Sequence, residues 1–266
     1  MSRSPTTFTA VLFDLGYTLL DYGPPDRWPE FRVLRMEQLY PLACQLWGDL
    51  GLSPADFGRL VGGALQTDET RATEHGGFSV SFLQRLRRAL TQIGLAPDEG
   101  ALDRLAQAFS APIRDWPHPY PEAPSVLQAL RSSGLKLAII TNTPWDTPGS
   151  LLRGDLARFG LAGFFDAFIA SGEVPWRKPH PEFMRAAARA LAVPSDRCLV
   201  VGDNLRADVA GARAAGMRSI WVNRTGDPPP PGTPPPDWIA ASLLEVLQVV
   251  ACPSPVPGHP PPRSPG

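Results

Sequence analysis

The chain has 266 residues, enough to bury a sizeable core and to form one large domain or two smaller ones. Its 25 lysines and arginines nearly balance 26 aspartates and glutamates, for a net charge of −1. That balance offers no electrostatic footprint for nucleic acid or an anionic membrane, and it points to a small-molecule partner. Cys44, Cys198 and Cys252 stand far apart with no CxxC pair, so neither a disulfide framework nor a zinc site is expected. Met1 to Thr9 lack the apolar core of a signal peptide, and no apolar run approaches the roughly 18 residues of a membrane span. The expectation is a soluble cytoplasmic protein.

The first element is the apolar run Ala10 to Phe13, which reads as a buried strand and delivers Asp14 to the point where the chain turns. Open α/β sheets bind ligands beyond the carboxyl ends of their strands, so Asp14 is a candidate nucleophile or metal ligand. An aspartate after a strand can also simply cap the next helix. Tyr22 to Pro29, with three prolines and a glycine, is loop. Apolar positions then recur at helical spacing: Phe31, Leu34, Leu39, Leu42 and Leu46, and Phe57, Leu60, Val61 and Leu65 after the cap and first-turn proline Ser53-Pro54. Phe82 to Leu90 and Leu102 to Phe109 mark two more helices. Residues 19–112 therefore read as an inserted helical module. His75 falls in a turn beside Gly76-Gly77.

From the proline-rich stretch Trp116 to Pro121 onward, strands alternate with helices. Ser125 to Arg131, Leu151 to Phe159, Glu182 to Leu191 and Val209 to Ala215 are helical. Lys136 to Ile140, Ala167 to Ala170, Cys198 to Val201 and Ser219 to Val222 are strands, with a short edge strand at Asp237 to Ile239 and a closing helix over Leu243 to Val250. This alternation predicts an α/β fold, a Rossmann-like parallel sheet built from residues 1–18 and 113–250 and covered on both faces. Residues 251–266 form a proline-rich tail, expected to be disordered or to present an extended segment to a partner.

Chemistry gathers at the strand ends. Asp14 ends the first strand, Thr141 and Asn142 the second, and Asp203 the fourth, with Asp208 five residues on. Lys178, one of only two lysines, lies in the loop from Trp176 to Pro181. Three carboxylates converging on one sheet edge would repel one another unless a divalent cation lay between them, and oxygen ligands with retained waters suit magnesium. Thr141, Asn142 and neighbouring N–H groups, with Lys178 as a point charge, would hold an anionic group such as phosphate.

These four segments resemble the motifs of the haloacid dehalogenase superfamily: Phe13 to Leu19 the first, Ile139 to Asn142 the second, Arg177-Lys178-Pro179 the third and Val201 to Asp208 the fourth. The position of the helical insert is similar to that of a C1-type cap. The resemblance implies that Asp14 becomes an aspartyl-phosphate, and that magnesium is bound by Asp14, the Gly16 carbonyl and Asp203 with Asp208 in support. It further implies that Thr141 binds the phosphoryl group and that Lys178 orients Asp14. The implied activity is hydrolysis of small phosphorylated metabolites. A cap lysine, needed for phosphonatase chemistry, is absent between Leu19 and Pro112.

One departure stands out. Phosphatases of this superfamily carry a second aspartate two residues after the nucleophile as general acid and base, and here that residue is Gly16. General acid–base help is worth about 10²–10⁴-fold. The substitution disfavours mutase activity and leaves a 2-haloacid dehalogenase-like hydrolase, or a weakly catalytic phosphate-binding protein, as alternatives. Asp21, Tyr17 and His180 are candidate substitutes. An inward-facing Arg32, Arg35, Arg71 or Arg85, or His75, would favour a second anionic group on the substrate. Neither the substrate nor the oligomeric state follows from the sequence.

Overall fold

The computed structural model describes residues 7–23, 39–74, 81–110, 117–143, 146–147 and 149–252. Strand β1 (Ala10–Phe13) is buried at every position, which is why it reads as an unbroken apolar run rather than an alternation. A tight turn follows, in which the Leu15 carbonyl accepts from the N–H groups of Leu19 and Leu20 and Tyr17 takes a left-handed φ of 57°. The chain then forms β2 (Leu20–Asp21).

The helical segments come next: α1 over residues 39–47, α2 (Pro54–Glu74), α3 (Phe82–Gln92) and α4 (Glu99–Ser110). Ser53 caps α2 as its sequence suggests, its Oγ accepting from the Asp56 N–H at 3.1 Å. The helices bury their apolar stripes on one another, with Leu39, Phe57, Val61, Phe82, Leu86 and Phe109 in a core of their own. Phe82 and Phe109 meet there with ring centroids 4.7 Å apart. Phe31, Leu34 and His75 lie outside the described residues, as does the tail beyond Cys252.

The chain returns through β3 (His118–Pro119), which pairs antiparallel with β2. The sequence did not announce this two-stranded ladder. His-Pro beside a further proline carries no strand signature, and only the return of the distant Leu20–Asp21 supplies a partner.

The remaining elements alternate: α5 (Ala123–Ser132), β4 (Lys136–Thr141), α6 (Ser150–Arg158), β5 (Ala167–Ala170), α7 (Pro181–Ala190), β6 (Cys198–Gly202), α8 (Ala210–Ala215), β7 (Arg218–Val222), β8 (Trp238–Ala240) and α9 (Leu244–Ala251). Six of the strands form one parallel sheet in the order β5-β4-β1-β6-β7-β8. Odd and even positions of β1 feed opposite faces. Val11 and Phe13 pack beneath α5 and α9 with Val126, Leu127 and Val246, whereas Ala10 and Leu12 pack beneath α7 and α8 with Phe183, Met184 and Ala212. Each fully buried valine, leucine, phenylalanine or methionine among these contributes about 1.5–3 kcal/mol. Among the described residues no helix is long and apolar enough to cross a membrane.

Candidate active site

β1 is one of the two central strands of the six, with β4 on one side of it and β6 on the other. Chain direction into the sheet reverses there, and a crevice opens beyond the strand ends. Asp14, Thr141 and Asp203 stand at that edge, and Lys178 reaches it from the loop between β5 and α7. Together with Gly16, Tyr17, Tyr22, Asn142 and Asp208 they line a cavity of about 230 Å³.

Lys178 is the hub. Its buried Nζ donates to Asp14 Oδ1 at 2.5 Å and to Asp208 Oδ1 at 2.7 Å. Burial works against the ammonium charge, but the two carboxylates outweigh it and hold the lysine above its ordinary range. Its backbone is fastened by Asn142, whose side-chain amide donates to the Lys178 carbonyl at 3.1 Å and accepts from the Lys178 N–H at 2.9 Å. Asn142 thus positions the lysine, and a phosphate contact would fall to its remaining amide hydrogen. Thr18 Oγ1 donates to the other Asp14 oxygen at 3.3 Å.

Asp208 is carried by a π-helical turn, Leu205–Val209, that leads into α8. Its second oxygen accepts the Asn204 N–H at 3.0 Å, while the Asn204 side chain caps the turn by accepting from the Arg206 and Ala207 N–H groups. Burial pushes the Asp208 carboxyl up to about 6 against the pull of Lys178. Burial, then the charges of Asp14 and Asp208, push Asp203 up to about 8. Oxygens of all three carboxylates lie within 4.8 Å of one another. That is a hard-oxygen donor set whose like-charge repulsion Lys178 offsets only in part, and it fits a magnesium ion.

Gly202 makes room for Asp208. A Cβ there would lie 2.3 Å from the Asp208 carboxyl carbon. Gly202→Ala is therefore expected to displace the carboxylate from Lys178, with a loss of about 1–3 kcal/mol of stability readable by urea denaturation.

The three proposed substitutes for a carboxylate at position 16 separate. Tyr17 lines the cavity. Asp21 accepts the Gly23 N–H at 2.8 Å within its own turn. His180 caps α7 by accepting the Glu182 N–H at 3.2 Å and stacks on Trp176. Arg85 does not face the cavity either. It pairs with Asp146 at 2.7 Å, both side chains fully buried. Arg32, Arg35 and the Arg71 side chain lie outside the described residues. Tyr22, which sequence reasoning passed over as loop, does line the cavity. Its only signal was the bareness of Gly16, which becomes informative once the ring is seen beside it.

A family description, haloacid dehalogenase-like hydrolase, matches residues 8–216. The chain belongs to that family. Among its relatives, phosphoserine phosphatase of Thermus thermophilus is 41% identical over 167 residues, which are 62% of this chain and 64% of that protein. Phosphoglycolate phosphatase of Neisseria meningitidis is 35% identical over 247 residues, 90% of this chain and 92% of that one. Among solved structures, 2-haloacid dehalogenase of Pseudomonas syringae pv. Tomato superposes with a TM-score of 0.67 at 25% identity, covering 92% of this chain and 98% of that chain. The chain thus spans somewhat under two thirds of the Thermus enzyme but nearly all of the other two. All the motif residues of this haloacid dehalogenase-like hydrolase named above fall within the matched span.

Proposed function

We propose that the protein is a magnesium-dependent phosphatase of small phosphate monoesters and that Asp14 is its nucleophile. The observation that carries the reading is the trio Asp14, Asp203 and Asp208, whose oxygens lie within 4.8 Å of one another beside a buried lysine. Phosphoserine and phosphoglycolate, named in the relatives, are esters of this class, and both carry a carboxylate. A cytoplasmic setting goes with such metabolites.

Asp14, the Gly16 carbonyl and Asp203 would hold the magnesium, with Asp208 behind them. Bound there, magnesium neutralises the carboxylates and draws charge from the phosphoryl oxygens. Lys178 fixes one oxygen of Asp14 and leaves its neighbour to attack phosphorus, while its charge removes the repulsion between carboxylate and phosphate. Thr141 donates its hydroxyl to a phosphoryl oxygen. The Asp14 oxygen–phosphorus bond forms as the ester bond breaks, and water then releases phosphate from Asp14. Residues 19–112 act as a cap over residues 1–18 and 113–250, excluding bulk water from the first step.

The test is release of inorganic phosphate from p-nitrophenyl phosphate, phosphoserine and phosphoglycolate, with magnesium and after chelation. Chelation is expected to cost at least about a hundredfold in rate. Halide release from 2-haloacids that survives chelation would replace this reading with dehalogenation. Phosphate binding without turnover on any ester would make the protein a binding module.

A further inference from the structure

Tyr22 sits where β2 gives way to the segment entering the helical module. It is buried, lines the same cavity as Asp14 and Lys178, and its hydroxyl has no hydrogen-bond partner among the described residues. A buried hydroxyl without a partner costs about 1–3 kcal/mol, whereas phenylalanine would fill the same volume without that cost. The ring stands against the bare face of Gly16. A Cβ built there would lie 3.5 Å from Tyr22 Cδ2 and Cε2, in ordinary contact. On its other side the ring tilts against Tyr17, with centroids 6.4 Å apart.

The surroundings favour a donor. A tyrosine hydroxyl, with an ordinary value of about 10, carries its proton at neutral pH and is available to donate. Within the cavity, Thr141 and Lys178 are placed to meet phosphoryl oxygens. In-line displacement by Asp14 sends the leaving oxygen to the side away from that carboxylate. The Tyr22 ring stands beside Gly16, the position at which the phosphatases this chain resembles carry their acid.

We propose that the Tyr22 hydroxyl donates a hydrogen bond to the leaving-group oxygen of the phosphate ester, from beside Gly16. The assignment rests on the phosphatase reading above. As the ester P–O bond breaks, its electron pair goes to the leaving oxygen and the Asp14 oxygen–phosphorus bond forms. The leaving oxygen takes its proton from water, while Tyr22 keeps its own and stabilises the developing negative charge. A hydrogen bond to a charged acceptor is worth tens-fold in rate, and it matters more as the leaving group becomes more basic.

Tyr22→Phe tests this, with kcat/KM measured on p-nitrophenyl, phenyl and alkyl phosphates for both proteins. The variant is expected to melt at or above the wild-type temperature. Its loss should be under about threefold on the p-nitrophenyl ester and grow to about tenfold to a hundredfold on alkyl esters, so that log kcat/KM falls more steeply with leaving-group basicity. An equal loss on every ester, or no loss on the alkyl esters, would overturn the role of Tyr22 while leaving the phosphatase reading standing. If wild-type protein releases no phosphate even from the p-nitrophenyl ester, the phosphatase reading fails and this role fails with it.

Discussion

Asp14→Asn is expected to lower phosphate release by about four orders of magnitude or more, because an amide of the same shape cannot attack phosphorus. The fold should survive the change. Lys178 would lose one carboxylate but keep Asp208 at 2.7 Å, so the buried ammonium stays paired. Removing one of three clustered negative charges also relieves the repulsion that contributes to raising Asp203 to about 8. In metal-free buffer the variant should therefore melt no lower than wild type. Phosphate release from p-nitrophenyl phosphate, paired with a thermal melt of the same sample, checks both halves. Turnover within tenfold of wild type in a folded variant would remove Asp14 as the nucleophile.

The second large effect lies away from the chemistry. Arg85→Met is expected to cost about 3–5 kcal/mol of stability, the usual consequence of removing one partner of a fully buried ion pair. Arg85 projects from α3 and donates to Asp146 Oδ2 at 2.7 Å, across 61 residues of sequence. Asp146 adopts a left-handed φ of 56° in the loop after β4, where its N–H donates to the Thr143 carbonyl. That loop is seated tightly, since a Cβ at Gly172 would lie 2.1 Å from the Thr147 carbonyl oxygen. Arg177, next to Lys178, pairs with the same Asp146 oxygen at 3.5 Å, a longer contact than that of Arg85. The pair thus ties α3 to the loop that follows Thr141 and, through Arg177, to the loop that carries Lys178. Adding Asp146→Asn, which tolerates the left-handed backbone, should return much of the lost stability by removing a buried charge left with only the longer Arg177 contact. Urea denaturation of the two single variants and the double variant measures the coupling; additive losses would show that the pair carries no shared energy.

The core strands and the four polar segments were legible because each is local. Ala10 to Phe13 and Cys198 to Val201 are apolar runs that end in aspartates, and a strand buried on both faces must be written that way. Gly202 between such a run and Asp203 likewise marks a strand end. The inserted helices were legible from the 3.6-residue spacing of Phe57, Val61, Phe82 and Leu86, each of which is buried. What escaped notice depends on which distant segments meet. Leu20–Asp21 pairs with His118–Pro119 across the whole helical insert, and no property of either dipeptide selects the other.

The same division holds at the site. The sequence by itself determined that Asp14, Thr141, Lys178, Asp203 and Asp208 share one sheet edge, since parallel strands all end on the same side and side-chain type then dictates the chemistry available there. Only the tertiary structure decided how those groups are used: that Lys178 bridges Asp14 and Asp208, that Asn142 spends its amide on the lysine backbone, and that Arg85 turns to Asp146 rather than to the cavity. It also placed the Tyr22 ring against Gly16. Hydrogen bonds and van der Waals contacts act over a few ångströms, so partnership among residues far apart in sequence is set by where the folded chain brings them, and no spacing rule along the chain encodes it.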